Sequence, residues 1–193
     1  MNPTRAALVL ASAALAPALL LSTPSFAATA APATGTVTAP YCGTTAKVGT
    51  KDSDNAFAII KLLTDPNCGK AVRREANTAL SGTPADRVAF LTTGLAVAQD
   101  EDNKVAILRI LAGKPGRGVT REANKALSGT AADRAAFRKT GLRLAQAEDD
   151  RVTVARILAR PGISDALRAA ANKAMDGTPE ELRHFVTVGQ YQV

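Results

Sequence analysis

The chain holds no tryptophan, one histidine and two cysteines among 193 residues, and only 4% of it is aromatic. Each scarcity excludes something. A lone histidine, His184, leaves no histidine pair for a metal or a proton relay, and no GxSxG, HExxH, CxxC or phosphate-loop pattern is present. The run Gly113-Lys114-Pro115-Gly116-Arg117-Gly118 lacks the glycine, lysine and hydroxyl order that cradles phosphate. An enzyme is therefore not expected, and no catalytic residue, metal or cofactor is assigned. Aromatic platforms for stacking nucleic-acid bases are also few, since Tyr41 and Tyr191 are the only tyrosines. The longest apolar run, Ala6 to Leu21, is shorter than the ~20 residues a membrane-spanning helix needs.

That apolar run follows one basic residue, Arg5, and precedes the small-x-small site Ser25-Phe26-Ala27. Residues 1–27 are expected to be a secretory signal peptide cleaved near Ala27, which makes the mature chain secreted and free of a membrane span. Residues 28–40 are uncharged and rich in alanine, threonine and proline, as in a flexible linker. In an exported chain Cys42 and Cys68 are expected to form a disulfide. Closing that loop stabilises the fold by about 3.5 kcal/mol on the chain-entropy account.

Beyond the linker, one segment is written three times: ALSGTPADRVAF at 79–90, ALSGTAADRAAF at 126–137 and AMDGTPEELRHF at 174–185. Gly82, Gly129 and Gly177 recur with it, as do Gly94, Gly141 and Gly189, and upstream Leu63, Leu111 and Leu158. A sustained period of this length is the signature of a helical repeat array. Each repeat is expected to open with a short helix, over 54–64, 102–112 and 149–159. Asp54, Asp102 or Asp149 stands at its start, and Phe57, Ile60, Leu63 and their counterparts fall on one face. A Pro/Gly turn follows, then a second helix carrying REANTAL, REANKAL or AAANKAM, which Gly82, Gly129 or Gly177 would end in the left-handed conformation.

Thr83 with Asp86, Thr130 with Asp133, and Thr178 with Glu181 have the three-residue spacing of capping boxes, and Pro84 and Pro179 suit a first helical position. Phe90, Phe137 and Phe185 recur once per repeat, as core plugs between packed helices would.

The order REAN-x-AL-S-G-T-P-x-D-R-x-x-F, followed by an acidic cluster and an R-[IV]-L-A helix, resembles the ALF repeats of secreted actinobacterial proteins. The resemblance spans roughly 54–189 and implies signalling or interaction, with no catalytic residues to carry over. The third repeat departs most, with Ala169, Asp176 and His184 at altered positions.

Three polar features remain. Asn77, Asn124 and Asn172 recur in the second helix, where asparagine is a poor helix former. They read either as a ladder satisfying backbone at the joins between repeats or as a row lining a peptide groove. The clusters at 52–55, 100–103 and 148–150 offer oxygens to calcium but lack a spaced ligand loop, and helix capping accounts for them. The full chain carries a formal net charge of +7, and Lys114, Arg117, Arg121 and Lys125 form a candidate basic patch beside the recurring Lys61, Arg109 and Arg156.

The fold expected is all-α: a short α-solenoid of three tandem helical repeats, stacked in HEAT or armadillo fashion. It occupies 41–193, with repeats near 54–101, 102–148 and 149–193. Its N-terminal end is expected to be capped by residues 41–53, tethered through the disulfide. The function expected is binding of an unidentified protein or peptide. The alternative is binding of nucleic acid or another extracellular polyanion through the basic face.

Overall fold

A computed structural model describes Cys42 and residues 47–193. The signal peptide and linker expected over 1–40 lie outside the described residues, as do positions 41 and 43–46 of the tether. Every element among the described residues is helical: α1 (Asp52–Thr64), α2 (Lys70–Ser81), α3 (Pro84–Ala89), α4 (Leu95–Ala112), α5 (Arg117–Ser128), α6 (Ala131–Ala136), α7 (Leu142–Leu158), α8 (Asp165–Met175) and α9 (Pro179–Thr187). A π-helical turn, Phe90–Gly94, joins α3 to α4, a second, Phe137–Gly141, joins α6 to α7, and a 3-10 turn, Gly189–Tyr191, follows α9.

The two π-turns settle how the repeats connect. The stretches 102–112 and 149–159 do not begin new helices; they are the later parts of rods running over 84–112 and, for the second, 131–158. Residues 95–102 and 142–149 contain neither glycine nor proline, so nothing stops the helix before the acidic cluster. Each π-turn is closed by a glycine against the phenylalanine that opens it. A Cβ on Gly94 would lie 3.2 Å from the Phe90 ring, and one on Gly141 would lie 3.2 Å from that of Phe137. The wide turn thus lets the ring lie against bare backbone while both rods continue.

Helix starts follow the threonine pattern. Thr83, Thr130 and Thr178 each accept from the amide three residues on, and the side chains of Asp86, Asp133 and Glu181 accept back from the threonine amides at 2.7 Å. The preceding glycines serve this cap rather than the left-handed stop expected of them. Gly82 (φ −89°) and Gly129 (φ −87°) are extended. A Cβ at either would stand 2.6 Å from the carboxylate of Asp86 or Asp133, so glycine is there to make room.

Packing runs in sequence, with α1 on α2 and α3, α2 on α4, α4 on α5 and α6, α5 on α7, and α7 on α8 and α9. Three apolar cores result, and Phe90, Phe137 and Phe185 are buried one in each. Leu91, Leu95 and Ala98 join the first core. In α1 the inward face is Ile59 and Leu62, both fully buried. Phe57 and Ile60 face solvent instead, while Leu63 packs at the core margin.

Cys42 and Cys68 are joined, with an S–S distance of 2.05 Å. The described part of the tether lies at the front of α1, where Gly49 donates to the Asn55 side chain at 2.7 Å. The counterparts Asn103 and Asp150 are likewise buried.

Candidate functional site

The acidic clusters are where helices are fastened together. Asp102 accepts from the amides of Ala71 and Val72 at 2.9 and 3.0 Å, and Asp149 accepts from those of Gly118 and Val119 at 2.7 and 3.0 Å. Each caps the N-terminus of the preceding repeat's second helix, not of its own. The approach requires glycine at the capped end, since a Cβ on Gly69 or Gly116 would lie 2.3 Å from the carboxylate carbon. Beside these caps, Arg74 pairs with Glu75 and Glu101, and Arg121 with Glu122 and Glu148.

Between helices, Arg87 holds both oxygens of Asp52, Arg134 holds both of Asp100, and Arg183 reaches one oxygen of Asp150. Hydrogen bonding from Arg134, with Lys104 adding its own, lowers the Asp100 carboxyl to about 2. Asp150 goes the other way: burial raises it despite the nearby charge of Arg183. Its second oxygen is buried without a hydrogen-bond partner. Apart from that one, the oxygens named here are taken by protein donors. The grouping with metal-ligand spacing found among the described residues is Cys42, Asp65 and Cys68, whose two sulfurs are bonded to each other.

The third repeat differs at the positions that fasten the first two. Ser164 stands where Gly69 and Gly116 stand and caps its own helix, accepting from the Leu167 amide at 3.0 Å. Ala169 and Ala170 replace the Arg74/Arg121 and Glu75/Glu122 positions. Leu182 and Ala147 replace the Arg–Asp pair, and both are buried.

The recurring asparagines lie on the exposed side of their helices, and Asn77 donates to the Arg73 carbonyl of its own helix at 2.8 Å. The bonds between repeats come from the aspartates and arginines above. Of the basic patch, Lys114, Arg117 and Lys125 are exposed without an ion pair among the described residues, whereas Arg121 is held by its two glutamates. Lys114 also turns the chain between α4 and α5 at φ 52°. His184 is exposed on α9.

What packing leaves over is a set of exposed apolar side chains at equivalent positions of α1, α4 and α7. Phe57 and Ile60 on α1 are 70% and 48% exposed, their counterparts on α4, Val105 and Leu108, 39% and 55%, and Val152 on α7 46%. Beside them stand Lys61, Arg109 and Arg156, all exposed. Val105 and Arg109 also line a cleft of about 730 Å³ between α4 and the α1–α2 loop, next to the disulfide. The sequence offered a signal for these exposed residues in Phe57 and Ile60, but their spacing is equally that of a core face.

Repeated helical hairpins fastened by cross-helix caps define a helical-repeat protein. A profile of short repeats of unknown function, the ALF repeats, matches residues 58–98, 104–145 and 151–193. The chain belongs to the ALF repeat family. No curated protein matches it in sequence. Among the described residues, no helix is long and apolar enough to cross a membrane.

Proposed function

We propose that this chain is a secreted, non-enzymatic α-solenoid that binds a protein or peptide partner. The observation behind this reading is the recurrence of exposed apolar side chains at equivalent positions of all three repeats. Five sizeable apolar side chains at repeat-equivalent positions are unused by the cores, and it is their recurrence, not a continuous patch, that supports a binding surface over an idle face. The full chain, immobilised, should capture a partner from secreted and cell-surface material, and Leu108→Ser should abolish capture without lowering the melting temperature. Equal capture by the variant would sink this reading.

The alternative, a polyanion binder, rests on Lys114, Arg117 and Lys125, which are exposed and form no ion pair among the described residues. Salt separates the two. Binding through phosphate or another polyanion collapses between low and moderate ionic strength, whereas binding through the exposed apolar side chains changes little.

A further inference from the structure

The cleft beside the disulfide carries more positive charge than the packing of its helices calls for. It is bounded by α4, the α1–α2 loop and the start of α2, and five cations line it: Lys70, Arg73, Arg74, Arg109 and Arg138. Two carboxylates line it as well, and both are engaged, Glu101 by Arg74 and Asp102 by the amides of Ala71 and Val72. Asp65, beside the two sulfurs, accepts from the Asn67 amide at 2.8 Å. Lys70 and Arg109 are exposed and form no ion pair among the described residues. Arg73 donates to the backbone carbonyls of Leu63, Asp65 and Cys68, none of which neutralises its charge. Arg138 is only 8% exposed, a cation set into the wall at a position where the other repeats have Leu91 and Val186.

One repeat further on, the same helix packing is made without this charge. There α5 packs on α7 as α2 packs on α4, and the aspartate cap and the Arg–Glu pair recur as Asp149 and as Arg121 with Glu148. Yet Thr120 stands for Arg73, Val186 for Arg138 and Asp150 for Asn103. Two cations are lost and a carboxylate is gained while the fastening stays the same. The charge of the first cleft therefore serves something other than the fold.

We infer that this cleft binds a small organic anion, an acidic head of carboxylate or phosphate type on a short apolar body. Its volume of about 730 Å³ is that of a small-molecule site. Pro66, Val105, Ala106 and Ile110 offer the apolar contact. Arginine's planar fork matches the oxygens of both kinds of head, and cations in a half-enclosed cleft attract an anion more strongly than cations in open water. Leu108 does not line the cleft, so this site stands or falls apart from the partner-binding role proposed above.

Calorimetric titration of the full chain with hexanoate, hexyl phosphate, hexylamine and inorganic phosphate tests the inference. The tighter of the two organic anions should bind at least tenfold better than hexylamine, a gap of about 1.4 kcal/mol, and hexyl phosphate should bind better than inorganic phosphate by the same margin. Arg138→Leu, which copies Leu91, and Arg109→Gln should each weaken the anion about tenfold. Arg109 is exposed and unpaired, so its variant keeps the test valid should Arg138→Leu disturb the core. Arg156→Gln, the same change as Arg109→Gln one repeat on, should leave binding unaltered. Hexylamine binding as tightly as the anions, inorganic phosphate equalling hexyl phosphate, neither organic anion binding, or Arg156→Gln weakening binding as much as Arg109→Gln would overturn the inference.

Discussion

At the residue scale, two carboxylates pull stability in opposite directions with pH. Asp100, held at about 2 by its hydrogen bond from Arg134, contributes stability fully above the ordinary carboxylate range. That contribution is lost as pH falls from about 4 towards 2. Asp150, raised by burial, does the reverse. Its ionisation costs stability above the ordinary carboxylate range, and the cost vanishes in acid. Asn55 and Asn103 occupy the equivalent positions, so Asp150→Asn should raise the melting temperature at pH 7 by a few degrees and match the parent at pH 3. Asp100→Asn should lower the pH 7 melting temperature by several degrees and flatten the acid limb between pH 4 and 2. Thermal scans over pH 2–8 check both; parallel curves for parent and variants would contradict them. The capping boxes were legible at this scale because threonine and acid sit three residues apart on one turn. The Arg–Asp clasps were not, since their partners lie 33 to 35 residues apart. A signal was available: Arg87/Arg134 and Asp52/Asp100 recur together and vanish together as Leu182 and Ala147.

At the element scale, the aspartates show why the boundaries of the helices were misread. Asp102 and Asp149 look like N-terminal caps because that is their role, but the amides they bind belong to α2 and α5. A local pattern cannot say which helix a side chain serves. The glycine that admits the carboxylate is part of the same device. Asp149→Ala should cost about 2 kcal/mol, since two amides at a partly buried helix start lose their acceptor. Gly116→Ala should cost about as much, because its Cβ displaces the carboxylate. The double variant should be hardly worse than either single one, as expected of residues acting through one contact. Strict additivity in chemical unfolding would show that the glycine matters for another reason. Phe137→Ala tests the π-turn and core together: removing this buried ring should cost about 3–5 kcal/mol.

At the scale of the whole molecule, these caps make each repeat depend on the next. The second helix of repeats one and two starts properly only if the following rod supplies its aspartate, and the third is released from that need by Ser164. The three-fold period was legible because it is written along the chain. The direction of dependence was not, because it lies in contacts between rods. A chain ending after residue 148 should therefore lose more than its last helices: without Asp149, the amides of Gly118 and Val119 have no acceptor, and α7, which packs on α5, is cut short. Its helical signal should fall by more than the missing residues account for, and its melting temperature should drop by ten degrees or more. Gly116→Ser in that shortened chain copies the arrangement at Ser164, a hydroxyl at the helix start that caps its own turn. It should recover a few of those degrees, while the same substitution in the full chain, where the serine side chain meets Asp149, should be destabilising. Circular dichroism melts of the four chains measure this reversal of sign. If Gly116→Ser lowers stability equally in both, the fastening between repeats does not run from each rod back to the helix before it.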